Sequence, residues 1–262
     1  MSIAVSLPPL RIAAADLGAM SRLMGDLYSR QLHGDDDPYI RQHAQPKLVA
    51  GQARVFRWYA PHLPERGAIL DLGCAHGPDS CMIRVCFGNR FDLFGCDFHA
   101  EERFEVFRDF AQADYTQLQD NQTLPYESQS FDAVIASGVI EHAAMDYELL
   151  KEVNRILKPG GRLVVSFIPN VLSYQEFWRR NARKAEFHRR LYSRGETSRL
   201  LKRAGFYPIV PVRYQSFAWE KRLERVFASR WVERIDRIMR TLLPIQAVCS
   251  TLCAVAEKVQ VM

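Results

Sequence analysis

The sequence lacks several features that would direct it to particular classes of protein. None of its six cysteines forms a C-x-x-C pair, so a zinc site is not expected. We expect the cysteines to be reduced, buried thiols instead. No apolar run approaches the ~20 residues that a membrane-spanning helix requires. The first twenty residues lack the basic start and sustained apolar stretch of a secretory signal. These absences predict a cytoplasmic protein without a metal ion.

The first two thirds of the chain also lack any excess of positive charge and are net acidic. Residues 1–170 carry 16 Lys and Arg against 22 Asp and Glu, whereas residues 171–243 carry 18 against 7. A basic segment of this kind attracts an anionic substrate or an anionic membrane surface. The structural alternative is a set of solvated, arginine-rich helices, and the pattern leaves these interpretations open.

Strands and helices alternate from residue 46 onward, which predicts an α/β fold with a mostly parallel sheet and helices on both faces. Short apolar runs predict seven strands: one ending at Asp71, then Phe91–Asp97, Phe110–Asp114, Phe131–Ser137, Arg162–Ile168, Phe206–Tyr214 and Val248–Val259. Amphipathic segments predict helices over Pro46–Tyr59, Ser80–Phe87, Glu101–Arg108, Met145–Leu157 and Ser193–Ala204.

Three segments lie outside this alternation. Residues 1–45 look irregular, apart from a short helical stretch over Asp16–Tyr28, and we expect them to form an N-terminal cap on a domain of residues 46–262. Residues 170–192 are a polar, aromatic and basic insertion that predicts a lid. Residues 217–243 carry charged and apolar residues at helical spacing, which predicts a helical insertion.

The most informative segment is the apolar run that ends in Asp71, followed by a turn of small residues and a predicted helix at Pro78. A strand–turn–helix unit of this kind lets the backbone approach a ligand closely. The spacing G-x-G-x-x-G, which cradles a pyrophosphate, is absent. The segment therefore predicts a ligand other than a dinucleotide.

Asp71-x-Gly73-x-Ala75-x-Gly77 resembles the first motif of the class I methyltransferases that use S-adenosylmethionine (SAM). The resemblance covers roughly residues 47–215 and the last strand. It implies a Rossmann-like seven-stranded sheet with one antiparallel strand and a helical lid. It also implies SAM as cofactor, S-adenosylhomocysteine as product, and no metal.

An acid at the strand end suits the cationic groups of SAM, although Ala75 departs from the usual second glycine. The motif residues expected at the cofactor are Asp71, Gly73, Cys74, Ala75, His76 and Gly77.

Acids in the next two predicted strands extend the resemblance. Asp97 ends the second strand, where a carboxylate can accept hydrogen bonds from both ribose hydroxyls. Phe98 beside it can stack on adenine. Asp114, followed by Tyr115, is predicted to end the third strand, and in this family the acid there typically meets the adenine amino group.

The end of the fourth predicted strand is expected to face the transferable methyl group. Small residues let the cofactor lie close, so Ser137, Gly138 and Val139 are expected to contact it. Glu141-His142 resembles a pair found in many small-molecule methyltransferases, whose histidine is sometimes placed as a general base. Glu141 would then orient the ring. The structural alternative is that both residues cap the following helix or hold the loop.

Specificity is expected to come from the lid, where aromatic residues alternate with arginines. This composition suits a ring or acyl chain beside an acidic group. The candidate substrate-binding residues are Tyr174, Trp178, His188 and Tyr192. The alternative is an amphipathic helix whose aromatic side chains pack on the sheet.

These observations predict an enzyme that transfers a methyl group from SAM to oxygen or nitrogen of a small or medium-sized metabolite, with an anionic acceptor favoured by the basic lid. Nucleic acid is not expected, because no RNA-binding module is present and no Asn-Pro-Pro-Tyr or Asp-Pro-Pro-Tyr follows the fourth strand. The alternatives are a catalytically inactive SAM-binding partner or regulator, and a methyltransferase acting on a lipid or glycan intermediate at the membrane surface. Peripheral membrane contact is not favoured, since Ile245–Val259 lacks a dense basic face. The oligomeric state is left open.

Overall fold

The structure is a computed structural model that describes residues 13–14, 16–34, 36–119, 123–181, 188, 190–216, 234, 238 and 245–259. The predicted helical insertion at 217–243 lies outside the described residues, except for Arg234 and Ile238. Part of the predicted lid, residues 182–187 and 189, also lies outside them, as do residues 1–12 of the predicted cap.

The described elements alternate between helix and strand. The helices are α1 Leu17–Gly34, α2 Pro38–His43, α3 Pro46–Tyr59, α4 Pro78–Phe87, α5 Glu105–Ala111, α6 Asp146–Ile156, α7 Tyr174–Asn181 and α8 Arg194–Arg203. The strands are β1 Gly67–Leu72, β2 Phe91–Asp97, β3 Asp114–Gln117, β4 Phe131–Ser137, β5 Leu157–Pro169, β6 Phe206–Ser216 and β7 Thr251–Lys258. Short 3₁₀ turns include Glu101–Phe104 and Ile140–His142.

The strands form one seven-stranded sheet in the order β3-β2-β1-β4-β5-β7-β6. β2 pairs in parallel with β1 and with β3, whereas β7 runs antiparallel to both β5 and β6. The predicted α/β sheet, mostly parallel with one antiparallel strand, is confirmed. No helix in the described part of the chain combines the length and apolar character that crossing a bilayer requires.

Contacts divide the chain into two compact units. The first unit comprises Met1–Asp120 and Ser130–Ile135, and the second comprises Asn121–Gln129 and Ala136–Met262. The division does not separate the predicted N-terminal cap, residues 1–45, from the rest of the chain. The boundary between cap and domain therefore stays a prediction.

In the first unit, α1 packs on α3 and α5, and α4 packs on α5. The predicted helix Pro46–Tyr59 has the observed bounds, because Pro46 suits the first helical turn and buried residues recur on one face at Val49, Ala53, Phe56 and Tyr59. The predicted helical stretch over Asp16–Tyr28 forms most of α1. The expectation that the rest of residues 1–45 is irregular is wrong where α1 continues to Gly34 and where α2 forms. Asp37 caps α2 by accepting a hydrogen bond from the Tyr39 amide at 2.7 Å.

The third strand is the largest correction to the predicted elements. Phe110 and Ala111, predicted as the start of a strand, instead belong to α5, whose buried residues Phe107 and Ala111 lie one helical turn apart. The α5 helix ends at Gln112, which has a φ of 49° and donates its amide to the Arg108 carbonyl at 2.8 Å. β3 therefore begins at Asp114.

In the second unit, α6 packs on β5, and α8 packs on β6. Arg155 of α6 donates to the carbonyls of Leu124 and Tyr126 at 3.0 and 2.8 Å and to Glu152, so it ties an irregular segment to the helix. The capping box predicted for α8 is confirmed, because Ser193 and Glu196 exchange side-chain-to-backbone hydrogen bonds.

The free cysteines lie buried, apart from the half-buried Cys86. They therefore act as small apolar side chains in the core, as their apolar sequence neighbours indicate.

Substituting Ser193→Ala should lower the free energy of unfolding by about 1 kcal/mol, because the Glu196 amide loses its capping acceptor. Urea denaturation would measure the change. Ser198→Ala, inside the same helix, is the matched control and should be neutral or slightly stabilising, since Ala has the higher helix propensity. Equal losses in the two variants would contradict a capping role for Ser193.

Candidate functional site

The loop between β1 and α4 is a tight turn built almost entirely from backbone. The amides of Gly73 and Cys74 both donate to the Cys96 carbonyl, at 2.8 and 3.1 Å, and the Gly77 amide donates to the Cys74 carbonyl at 2.7 Å. Gly73, Ala75 and Gly77 have positive φ values of 64°, 47° and 72°. The two glycines adopt this conformation freely, while Ala75 pays about 1–2 kcal/mol for it. The loop therefore holds a tight turn at the end of β1 at a local conformational cost.

Asp71 lies buried beneath this loop. One of its oxygens accepts hydrogen bonds from the Ser80 amide at 3.3 Å and the Ser80 hydroxyl at 2.9 Å, at the start of α4. Burial, and then the nearby carboxylate of Asp79, raise the pKa of Asp71 well above its usual range. Asp79 accepts a hydrogen bond from the Tyr59 hydroxyl. The Asp71 carboxylate is thus engaged in joining β1 to α4.

Asp97, at the end of β2, reaches back to the same loop. One carboxylate oxygen accepts the Ala75 amide at 2.9 Å, and the other accepts the His99 amide at 3.2 Å. The side chain is 14% exposed, so part of the carboxylate remains accessible to a ligand. Phe98 next to it is 48% exposed, which leaves its ring available to a ligand.

A small recess lies beside Asp97 in the first unit. Its lining includes Cys74, Ala75, Gly77, Gly95, Arg108 and Tyr115. The Tyr115 hydroxyl donates to the His99 carbonyl at 2.6 Å, and the Arg108 guanidinium lies 4.4 Å from the Tyr115 ring centroid. A side chain at position 95 would bring its Cβ to 3.0 Å from the Cys74 sulfur, which is tighter than an ordinary contact, so the Cys74 side chain would have to shift. The recess brings together the loop and Tyr115, which sequence reasoning had placed in separate motifs.

Asp114 does not lie where the sequence predicted. It begins β3 instead of ending it, pairs in register with Phe94 in the middle of β2, and is exposed. The carboxyl end of β3 is at Gln117, and the next acid along the chain, Asp120, lies outside the described residues. The third-strand acid at a strand end was therefore misassigned, because α5 extends further than expected.

The His76 side chain points away from the turn into a buried aromatic cluster. Its Nε2 lies 2.6 Å from the Tyr28 hydroxyl of α1, and its ring packs against Tyr39 of α2 and Phe107 of α5. The cluster also includes His43 and Phe104. Burial, and then the proximity of His43, lower the pKa of His76 well below its usual value. Sequence reasoning missed this cluster, since its members are far apart in the chain.

In the second unit, the end of β4 is held by two serines and a glycine. The Ser166 hydroxyl donates to the Ser137 hydroxyl at 2.9 Å, and the Gly138 amide donates to the Ser166 carbonyl at 2.9 Å. Gly138 has a φ of 69°, and a Cβ there would contact Glu141 and Phe167. Phe167 itself has a φ of 58°, at an irregularity in the β5–β7 pairing. A strained non-glycine residue of this kind is typical of functional sites, and the sequence carried no signal for it. Val139 follows directly and precedes the Ile140–His142 turn.

Glu141 and His142 differ sharply in exposure. The Glu141 side chain is 3% exposed and that of His142 is 69% exposed, and 3.9 Å separates Glu141 Oε1 from His142 Nε2. That distance is too long for a hydrogen bond, so Glu141 does not orient the ring in the predicted way. Burial raises the pKa of Glu141 to about 7, while partial burial and then His188 lower the pKa of His142.

The predicted substrate-binding residues divide into two groups. Tyr174 and Trp178 on α7 are 43% and 49% exposed and touch edge to face. Tyr192 is buried, and its hydroxyl donates to Asp146 at 2.9 Å, so it serves the local structure. His188 is half-buried, and its ring lies 6.0 Å from that of His142.

Lowering the pH should destabilise the chain in part through His76. The unfolded histidine binds a proton near its ordinary pKa of about 6.5 and the buried one does not, so stability falls as the pH drops below that value, by at most about 1.4 kcal/mol per pH unit. Urea unfolding between pH 7 and pH 5 should show a shallower pH slope for His76→Gln than for the wild type. His33→Gln removes an exposed histidine and should keep the wild-type slope. Identical slopes for all three chains would rule this contribution out.

Comparison with known proteins places this geometry in a family. A family model described as a methyltransferase domain matches residues 41–210. The 27-O-demethylrifamycin SV methyltransferase of Amycolatopsis mediterranei is 28% identical over 158 residues, which are 56% of this chain and 54% of that protein. A probable tRNA methyltransferase 9B of Bos taurus is 33% identical over 100 residues, 37% of this chain and 20% of that protein. The chain thus aligns with about half or less of the length of these relatives.

A solved structure shares the fold over most of its length. A SAM-dependent methyltransferase from Archaeoglobus fulgidus aligns with a TM-score of 0.60 and 19% identity, covering 85% of this chain and all of that one. At this identity the likeness concerns the fold alone, whereas the family model spans well over half of the chain. The chain belongs to the class I SAM-dependent methyltransferases, an enzyme family whose motif its loop after β1 carries.

Proposed function

We propose that this enzyme transfers the methyl group of SAM to an oxygen or nitrogen atom of a small or medium-sized metabolite. The observation that carries the proposal is the pairing of the tight Gly73–Gly77 turn with the partly exposed carboxylate of Asp97. The loop carries no lysine or arginine, and its one histidine is turned into the core, which suits a ligand with a cationic sulfonium and no phosphate.

Each group of the first unit would hold a different part of the cofactor. The free lone pairs of Asp97 would accept the ribose hydroxyls. The exposed ring of Phe98 would stack on adenine, with Tyr115 lining the adjoining recess. Asp71 would act on the cofactor electrostatically, from beneath the loop and without direct contact. One of its carboxylate oxygens already accepts the hydrogen bond from the Ser80 hydroxyl. Asp114 is not retained in this proposal, because it lies at the other end of its strand.

When SAM is bound, its sulfonium already activates the methyl group. The chain then has to position the acceptor and to accept the proton that the acceptor loses. Ser137, Gly138 and Val139 form the small-residue end of β4, and we retain them as proposed cofactor contacts. His142 is the proposed proton acceptor for a hydroxyl acceptor, because its lowered pKa keeps the ring neutral at physiological pH. Positioning alone supplies several kcal/mol.

The described arginines of the lid refine the expectation of an anionic acceptor. Arg179 pairs with Glu176, Arg180 donates to the His188 carbonyl, and Arg190 donates to the carbonyls of Ala143 and Ala144. These guanidinium groups are engaged within the protein. The basic charge of residues 171–243 would therefore favour an anionic metabolite through its long-range field more than through direct contact.

One observation favours a second candidate, an acceptor carried at a lipid surface. Val171, Leu172, Phe177 and Trp178 are all large apolar side chains that are 47–64% exposed, at and just before α7. Exposed aromatic residues beside arginine are typical of membrane-interface segments. Co-sedimentation with anionic vesicles, lost when Phe177 and Trp178 are replaced by serine, would favour this candidate. The same pelleted fraction with and without vesicles would exclude it.

Asp97→Asn should weaken SAM binding about 10- to 100-fold, because charge-assisted hydrogen bonds to the ribose would be lost. Isothermal titration with SAM and with S-adenosylhomocysteine measures this directly. Asp109→Asn, which neutralises an exposed carboxylate on α5, is the matched control and should bind like the wild type. An unchanged affinity in Asp97→Asn would place the ribose elsewhere, and a wild type that binds NADH but not SAM would overturn the proposed function.

His142→Ala should lower kcat roughly 100- to 10,000-fold for a hydroxyl acceptor, as expected for loss of a general base, with little change in SAM affinity. The acceptor for this assay would come from a mass-spectrometric screen for metabolites that gain one CH₂ in the presence of enzyme and SAM. Met145→Ala truncates an exposed neighbour in the same loop and should retain the wild-type rate. A retained rate in His142→Ala would leave the histidine with a structural role only.

A further inference from the structure

We propose that Glu141, His142 and His188 bind a divalent first-row transition-metal ion of the zinc type. One ligand atom from each of the three side chains lies within 4.8 Å of the others. The three residues belong to the second unit and come from two separate segments of the chain. The sequence predicted no metal, because it contains no C-x-x-C pair and the family that it resembles implies none. His142 and His188 are 46 positions apart, so no local motif connects them.

The first supporting observation is the state of the Glu141 carboxylate. Its Oε2 is buried and has no hydrogen-bond partner among the described residues. Buried polar atoms are nearly always partnered, so an orphaned carboxylate oxygen points to a missing ligand. A cation at this position would compensate the cost of burying the carboxylate.

The second observation is how His188 is held. The carboxylate of Glu176 receives the His188 backbone amide at 3.2 Å and lies 2.9 Å from the ring Nδ1. With Nδ1 donating to this carboxylate, a neutral imidazole presents the lone pair of Nε2 to a ligand. Metal-binding histidines are typically oriented in this way by a carboxylate on the other ring nitrogen. Glu176 is itself buried and is joined by Arg179 at 3.3 Å.

The third observation is a clamp that keeps the two segments together. Arg190 donates to the carbonyls of Ala143 and Ala144 at 3.0 and 3.1 Å and pairs with Asp146 at 3.3 Å. Tyr192 donates to the same Asp146 carboxylate. These bonds attach the chain around His188 to the chain just after His142, so the proximity of the ligands is built into the fold.

Two imidazoles and one carboxylate form a donor set that suits zinc and its neighbours, while Mg²⁺ prefers oxygen ligands. Tetrahedral zinc bonds of about 2.0–2.1 Å place ligand atoms about 3.3 Å apart. The separation of 3.9 Å between His142 Nε2 and Glu141 Oε1 is close to this value. His142 is the most exposed of the three and closes the remaining gap by side-chain rotation. Three protein ligands leave a coordination position open, as in catalytic zinc sites.

The metal site is independent of the proposed methyl transfer, except in the role of His142. With a metal bound, the His142 lone pair is committed to the ion and does not accept a proton. The two proposals therefore assign different roles to this side chain, and comparing the turnover of chelator-treated chain with and without added Zn²⁺ separates them.

The test is titration of chelator-treated, full-length chain with Zn²⁺ by calorimetry and with Co²⁺ by its visible absorption, with Mg²⁺ as a comparison. We expect one Zn²⁺ or Co²⁺ per chain and much weaker binding of Mg²⁺. His188→Gln and Glu141→Gln, which preserve size, should abolish this site. Glu176→Gln, which weakens the contact that orients His188 without removing a proposed ligand, should weaken it about 10- to 100-fold. His33→Gln removes an exposed histidine outside the cluster and should bind like the wild type.

The proposal is overturned if the wild type shows no stoichiometric binding, or if binding survives in both His188→Gln and Glu141→Gln. His142→Ala, which truncates an exposed side chain and should fold normally, provides a further check, since it should also lose affinity. SAM titration of each variant verifies the fold. A chain that binds SAM but no metal defeats only the metal site, whereas one that binds metal but no SAM defeats only the proposed function.

Discussion

The carbonyl oxygen of Cys96 is the hydrogen-bond acceptor on which the conformation of the loop after β1 depends. It accepts the amides of both Gly73 and Cys74, and so ties the turn after β1 to the end of β2. The next residue, Asp97, takes up the Ala75 amide with its side chain. Because three consecutive amides of one loop are bound by two consecutive residues of the neighbouring strand, the turn cannot relax without disturbing the pairing of β1 with β2. This arrangement holds Ala75 in a conformation that alanine by itself avoids.

Buried carboxylates are a second constraint shared by both units. Asp71 and Asp79 lie close together in the first, and Glu141 and Glu176 lie buried in the second. Burying such groups is costly unless they are partnered. Asp71 binds Ser80, Asp79 binds Tyr59, and Glu176 binds His188 and Arg179. Glu141 differs from these three, because its Oε2 is buried without a hydrogen-bond partner among the described residues.

Most helices and strands could be predicted from the sequence, because the residue patterns that specify them are local. The bounds of α3, β2 and β4 agree with prediction, and the Ser193 capping box needed only four adjacent residues to be recognised. The prediction of β3 was wrong because local sequence does not distinguish the two possible structures there. A phenylalanine followed by small residues fits a strand as well as the last turn of a helix, and only the packing of Phe107 and Ala111 decides between them. That error moved Asp114 from one end of its strand to the other.

Spacing along the chain by itself determined the fold class, the family and the place of the loop after β1, because short-range patterns of glycine, acid and apolar residues dictate a strand–turn–helix unit. Only the tertiary structure decided which way the side chains of that unit point. His76 turns into an aromatic cluster formed with α1, α2 and α5, and Asp71 turns inward to Ser80. The same holds for Glu141, His142 and His188, which no pattern connects in sequence. Their proximity depends on the hydrogen bonds from Arg190 to the Ala143 carbonyl and from Tyr192 to Asp146. Each bond joins residues more than forty positions apart, and such contacts form only when the chain folds.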